Sequence, residues 1–207
     1  MINVKPRPLL LAISAPSGTG KTTLCDRLVS EFPSMKYSVS CTTRSPRDGE
    51  IDGVDYLFLD EAAFVARIAE GAFLEHASVH GYRYGTLRET VLDAFAAGQD
   101  VVMDIDVQGA EQIRTLLHEP ANRELQRAFI DVFIAPPSIE SLNARLKGRG
   151  KDSDEVIARR VQQAEVELQH WSSYRYFIIN DRLDASYDAL RSIIIAERHR
   201  IFSSSEA

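Results

Sequence analysis

Apolar and polar positions along the chain follow two periods that alternate regularly. "LLLAIS" (Leu9 to Ser14) is a short apolar run, as a strand covered on both faces of a parallel sheet requires. In Thr22 to Phe32, Leu24, Leu28 and Val29 share one face of a helix that Pro33 ends. "KYSVSCTT" (Lys36 to Thr43) alternates as a strand, "RSPRDGEIDG" (Arg44 to Gly53) is a polar loop, and "VDYLFL" reads as a further strand. Asp60 caps a helix from Glu61 to about Glu70, "AFLEHASVHG" reads as extended, and Thr86 to Ala97 reads as a helix stopped by Gly98. Three more buried strands follow: "DVVMDID" (Asp100 to Asp106), "FIDVFIA" (Phe129 to Ala135) and "YFIIN" (Tyr176 to Asn180). Between and after them lie helices over Gln108 to Leu117, from the Ser138 cap to about Leu146, and from Asp184 onward. Another is capped by Asp152 or Ser153 and carries Ile157, Val161, Ala164 and Leu168 on one face. This order predicts an α/β domain doubly wound about a mainly parallel sheet. The region from about 37 to 97 is richer in short alternating strands and reads as an insert.

Composition narrows the picture. The 207 residues are 44% hydrophobic and 26% charged, an ordinary globular balance that suits one core with small inserted subdomains. A net charge of −6 argues against a nucleic-acid partner but leaves room for a local anion site. Cys25 and Cys41 have no CxxC spacing and no histidine cluster nearby, so they read as reduced thiols in packing positions. No apolar run approaches the ~20 residues of a membrane span, and "MINVKPRP" is too weak a start for a secretory signal. The expectation is a cytoplasmic protein without a membrane partner.

The chemistry begins between the first strand and the first helix. "APSGTGKTT" (Ala15, Pro16, Ser17, Gly18, Thr19, Gly20, Lys21, Thr22, Thr23) nearly fits G-x-x-x-x-G-K-[ST], with Ala15 in the usual first glycine position. Glycines at 18 and 20 let consecutive amides converge on an anion, and the following helix adds its partial positive end. Lys21 suits the β- and γ-phosphates of a nucleotide, and the Thr22 hydroxyl suits Mg²⁺.

Three further stretches point to a second ligand. Arg44 and Arg47 lie three apart in a Ser/Thr-flanked loop and can grip one phosphate; the alternative is a solvated loop. Glu75 follows two apolar residues, and its two oxygens match the adjacent N1–H and N2–H₂ donors of guanine, which adenine lacks; an ordinary surface glutamate is the alternative. Ser40 and Thr86 can donate to guanine O6, and Tyr56 and Tyr84 can bond an acceptor phosphate. Asp104 and Asp106 end a buried strand on the same side, suited to Mg²⁺, to the guanine amino group, or to capping the next helix. No general base stands out; His76 and His80 read as structural.

"APSGTGKTTL", "SVSCTTRSPRDGEIDGVDYLFL", "FLEHASVHGYRYGT", "DVVMDIDVQGA" and "RLKGRGKDSDEVIARR" together resemble guanylate kinase, in order and over about Leu9 to Arg200. The resemblance implies a P-loop core (about 1–36, 98–146 and 161–207), a GMP-binding insert (about 37–97) and a mobile lid (about 147–160). It implies transfer of the γ-phosphoryl of ATP to GMP with Mg²⁺, ATP and GMP being the small-molecule partners. Arg44, Arg47, Tyr56 and Tyr84 would hold the GMP phosphate; Ser40, Glu75, Thr86 and Asp106 would hold the base. Asp104 would sit near phosphates and metal, and Arg149 and Arg160 would be lid arginines acting with Lys21 and Arg44, with Arg145 a weaker candidate. Asn180 would lie near the adenine, although Asp181–Arg182 replaces the family's usual acid pair and Cys41 stands where serine is common. The connection from His118 to Phe129 is longer than usual and is expected to be a surface loop. Both a monomer and a homo-oligomer are compatible with the sequence.

Overall fold

The computed structural model describes residues 7–79, 81–148, 150 and 152–201. Its elements are β1 (Leu10–Ser14), α1 (Lys21–Glu31), β2 (Met35–Tyr37), β3 (Cys41–Thr42), β4 (Leu57–Phe58), α2 (Glu61–Ala69), β5 (Phe73–Val79), β6 (Tyr82–Leu87) and α3 (Arg88–Ala96). They continue with β7 (Asp100–Asp104), α4 (Val107–Leu117), α5 (Arg123–Ala128), β8 (Phe129–Ala135), α6 (Ile139–Gly148), α7 (Asp154–Leu168), β9 (Tyr176–Ile179) and α8 (Leu183–Arg198).

Five strands form one sheet in the order β2-β7-β1-β8-β9. Every pairing in it is parallel. β1 is central and buried on both faces: Leu10 and Ala12 join Val91, Ile113 and Leu125 beneath α3, α4 and α5, while Leu11 and Ile13 join Leu24, Leu28, Leu190 and Ile194 beneath α1 and α8. That two-sided burial is why the run lacks polar positions. A second sheet, in the order β4-β3-β6-β5, stands beyond the carboxyl end of β2 and has its own small core of Cys41, Phe64, Phe73 and Leu87.

The structure departs from the pattern in four places. Lys36 to Thr43 is two strands in two sheets: Met35–Tyr37 pairs with β7, and Cys41–Thr42 pairs with β4 and β6. Both sheets use period two, so the alternation runs unbroken across the crossing. Thr86 and Leu87 finish β6 rather than start a helix, because they pair with β5. The 118–129 connection is not a surface loop: it holds a 3₁₀ turn (Pro120–Asn122) and α5, and buries Asn122, Leu125 and Ala128. β9 is an edge strand, and Phe177 (43% exposed) and Ile179 (54% exposed) lie two apart on one face that is left partly uncovered.

Two caps follow the sequence: Asp60 accepts from Ala63 N at the start of α2, and Ser153 from Val156 N at the start of α7. Leu142, Leu146, Ile157 and Ala164 make α6 and α7 a hairpin with its own apolar contact. Cys25 and Cys41 are free and buried, and burial pushes their thiols up to about 12 and about 11, as packing residues. No described helix is long and apolar enough to cross a membrane.

The amino end of β7 is tied down by charge. Buried Asp100 accepts from Leu9 N (2.9 Å) and Ser34 Oγ (2.9 Å) and pairs with Arg198 of α8. Replacing Asp100 by alanine strands three donors in a buried site, so urea unfolding is expected to show a loss of about 3–5 kcal/mol. A loss below about 1 kcal/mol would mean that the clasp contributes nothing.

Candidate active site

The loop after β1 lies at the carboxyl edge of the parallel sheet, where ligands of such sheets bind. Gly18 and Gly20 take φ of +92° and +97°, in the left-handed region. There is no space for a side chain at either: a Cβ would meet Leu146 Cδ2 at 2.8 Å and Asn180 Nδ2 at 2.7 Å. Thr19 is buried and donates its N–H (3.2 Å) and Oγ1 (2.7 Å) back to Pro16 O. Its own carbonyl accepts Asn180 Nδ2 at 2.6 Å. Gly20 gives α1 no side-chain cap, so its opening amides face outward without a side-chain acceptor. Ala15 rests against the α1 side of the core, and Ser17, Thr22 and Thr23 are exposed.

Lys21 reaches across the sheet edge from β1 to β7. Its ammonium pairs with Asp104 and donates to Ile105 O at 3.4 Å. Arg160 of α7 pairs with Asp152 and donates to Ser17, which brings the α6–α7 hairpin onto the phosphate loop. Arg145 does not reach that loop by any described bond; it donates to Asn180 O (2.8 Å) and Asp181 O (3.3 Å). Arg149 and His80 lie outside the described residues. The backbone of His76 is held by Gln112 and its ring lies against Phe73.

The second sheet forms the opposite wall. Tyr56 and Tyr84 meet edge-on at 6.1 Å. The Arg44 guanidinium lies 5.4 Å from the Tyr56 ring and is paired with Glu50 through two bonds, 2.9 and 2.8 Å. Arg47 contributes its backbone N–H to the same carboxylate at 2.7 Å. Two buried polar atoms of this region, Ser38 Oγ and Arg44 Nε, have no protein partner.

A register shift in β5 sets Glu75. Phe73 pairs with Leu87 and Glu75 with Thr86, so Leu74 is an extra residue and the strand bulges. Thr86 Oγ1 donates to Glu75 Oε1 at 2.7 Å, and Glu75 as a residue is 7% exposed. Burial, with a smaller contribution from the charge of Asp106, raises its pKa to about 7. Helix α4 packs on its other oxygen, since a Cβ on Gly109 would stand 2.9 Å from Glu75 Oε2. Gln112 holds β5 there by accepting from His76 N (3.0 Å) and donating to His76 O (2.8 Å). Asp106 caps α4 by accepting from Gly109 N at 2.8 Å.

Ser40, Tyr56, Glu75, Tyr84, Asp104 and Asp106 line a cavity of about 230 Å³. A neighbouring cleft of about 600 Å³ runs from Thr22 past Asp104 to Glu50. The structure thus brings the lysine, the strand-end acids, the buried glutamate and the tyrosine pair to one continuous opening. Sequence reading missed Glu50, Gly109 and Gln112. The acid of "RSPRDGE", three residues after Arg47, was a visible signal for the first; the other two act only through tertiary packing.

The raised pKa of Glu75 has a stability consequence. Its folded value exceeds the ordinary 4.5, so ionisation in the free protein opposes folding. This penalty is absent below pH 4.5, develops between 4.5 and about 7, and is complete above about 7. Glu75→Gln is therefore expected to be more stable than the parent by about 3 kcal/mol at pH 8 and indistinguishable from it at pH 4. Urea midpoints that differ equally at both pH values would refute the burial penalty.

Residues 5–197 match the family model described as guanylate kinase. The chain is 47% identical over 194 residues to the guanylate kinase of Ruegeria pomeroyi, covering 94% of this chain and 88% of that one. It is 46% identical over 197 residues to that of Sphingopyxis alaskensis, covering 95% and 86%. Among solved structures, guanylate kinase from Anaplasma phagocytophilum aligns with a TM-score of 0.69 at 29% identity, covering 95% of this chain and 89% of that one. The SH3-kinase fragment of tight junction protein 3 aligns with a TM-score of 0.52 at 14% identity, over 95% and 60%, and shares the fold alone. The sheet order, the loop after β1 and these matches agree: the chain belongs to the guanylate kinase family.

Proposed function

We propose that this chain is a nucleoside monophosphate kinase that transfers the γ-phosphoryl group of ATP to GMP, giving ADP and GDP. The observation that carries the choice of acceptor is the buried Glu75–Thr86 pair on the wall of the cavity that also holds Asp104, the partner of Lys21. Two carboxylate oxygens fit the paired guanine donors and repel the acceptor edge of adenine or cytosine. In this reading Ser40 and Asp106 complete the base site, and Arg44, Arg47, Tyr56 and Tyr84 receive the acceptor phosphate.

The donor phosphates lie on the loop from Ala15 to Thr23. Gly18 and Gly20 let the backbone close on them, and Lys21 exchanges Asp104 for phosphate oxygen. The acceptor oxygen of GMP is already anionic near neutral pH, so no side chain needs to remove a proton. The protein aligns two mutually repelling anions and offsets their charge with Lys21, Arg44, Arg47 and Arg160. Arg149 joins them on the strength of the resemblance. We read about 147–160, from the end of α6 through the first turns of α7, as the lid that excludes water on closing, and about 37–97 as the acceptor insert.

The family implies Mg²⁺. Thr22 and Asp104 line one cleft and present hard oxygen donors, a hydroxyl and a carboxylate, which suit an ion that also takes phosphate and water oxygens. When bound it would neutralise phosphate charge and orient the transferring group.

A coupled assay with ATP, Mg²⁺ and each of GMP, AMP, CMP and UMP tests the reading: turnover is expected with GMP alone. Turnover with AMP or CMP instead would overturn the assignment of Glu75. Guanosine, which has no titrating phosphate, isolates the base site. Its affinity is expected to fall about tenfold per pH unit below about 7, as Glu75 protonates, and to lose that dependence in Glu75→Gln. A flat profile in the parent protein would exclude an ionised Glu75 from base recognition. Gly109→Ala places a methyl against Glu75 Oε2 and is expected to weaken guanosine binding about tenfold without loss of fold; unchanged affinity would separate α4 from the base site.

A further inference from the structure

β5 ends the order β4-β3-β6-β5, so one of its edges has no strand beside it. A residue on such an edge turns both its N–H and its C=O outward, and each needs a partner. At His76 that partner is a side chain. Gln112 Oε1 accepts His76 N–H at 3.0 Å, and Gln112 Nε2 donates to His76 O at 2.8 Å. Only one orientation of the amide satisfies both, so it serves as one residue of a neighbouring strand. Its place along β5 matters. Leu74 is buried in the main core while Ser78 and Val79 are exposed, and Gln112 takes hold where the strand passes from anchored to free. On α4, Gln112 follows Asp106 and Gly109 at helical spacing. Asp106 lines the base cavity, Gly109 lies where a Cβ would stand 2.9 Å from Glu75 Oε2, and Gln112 clamps the residue after Glu75.

We propose that Gln112 is a positioning residue for the acceptor base. By standing in for the absent strand it holds Glu75 where both carboxylate oxygens meet paired donors, and so sets the preference for guanine over a purine that lacks the 2-amino group. The inference rests on the reading of Glu75 as the ligand of the base. Hypoxanthine keeps the N1–H of guanine but has no amino group, so a carboxylate fixed for two donors leaves one oxygen unpaired against it. A carboxylate free to withdraw with β5 loses that distinction. The alternative role, capping an edge strand for stability alone, predicts that loss of the two bonds weakens the fold and leaves discrimination intact.

The test is a calorimetric titration of guanosine and of inosine into the parent protein, Gln112→Leu, Glu75→Gln and the double variant, with KM for ATP and urea midpoints measured alongside. The parent is expected to favour guanosine about tenfold or more. Leucine keeps the bulk of Gln112 without its donor or acceptor. Gln112→Leu is expected to bring that preference to about threefold or less, while KM for ATP stays within about twofold. In the Glu75→Gln background the same substitution is expected to leave the preference where Glu75→Gln puts it, because Gln112 acts through Glu75. Should Gln112→Leu fail to fold, Gln112→Glu runs through the same cycle; it keeps an acceptor for His76 N–H but sets a carboxylate oxygen against His76 O, and a narrowed preference is expected again. A preference that stays at the parent value in either variant, whatever the urea midpoint does, overturns the proposal, as does an equal narrowing with and without Glu75. A parent protein that binds guanosine no better than inosine refutes the reading of Glu75 as the base ligand, whatever Gln112 does.

Discussion

Asn180 donates its side-chain amide to the carbonyl of Thr19, and the shape of the phosphate loop depends on that bond. It joins the residue after the last strand of the sheet to the loop after the central one. It turns a buried carbonyl away from the ligand side, and it stands where any side chain at position 20 would have to go. Arg145 then ties the Asn180 carbonyl to α6, and Leu142 and Leu146 of the same helix lie against Gly18. The loop is thus supported from outside by β9 and α6, while its amides stay free of side-chain caps on the inside. A parallel sheet alone would bring the right residues to one edge; this contact sets how they are displayed.

The cations that face the opening share a second constraint. Lys21 is paired with Asp104, Arg44 with Glu50 and Arg160 with Asp152. Positive groups gathered for phosphate repel one another, and each is held here by a carboxylate of its own. A chain of net charge −6 can therefore gather three cations at one opening, each offset by its own carboxylate. Overall charge excludes a broad basic surface but carries little information about a site built from compensated pairs.

Most of the core architecture was legible because its signals are local. A strand buried on both faces shows as an unbroken apolar run, and caps at Asp60 and Ser153 are set by the neighbouring amides. The phosphate loop is legible for the same reason, since its glycines and lysine are contiguous. What stayed hidden depends on partners distant in sequence. Nothing near Lys36 to Thr43 says that the chain changes sheet, because both sheets read with the same period. Asn122 reads as a loop residue until Arg88 and Leu116 are placed around it. Gly109 has meaning only because β5 delivers a carboxylate against it. Tyr176 to Asn180 looked fully buried because an edge strand can carry apolar residues on its uncovered face.

The bulge in β5 makes one short strand face three ways. Phe73 enters the small core of the second sheet, Leu74 enters the main core, and Glu75 turns to the cavity. The extra residue resets the alternation, so strand length here encodes orientation. Deleting Leu74 would restore regular pairing with Phe73 still opposite Leu87 and Glu75 still opposite Thr86, but would take from the main core the side chain that this strand gives it. The extra residue thus lets one strand serve both cores and the cavity at once, and losing it costs the main core rather than the site.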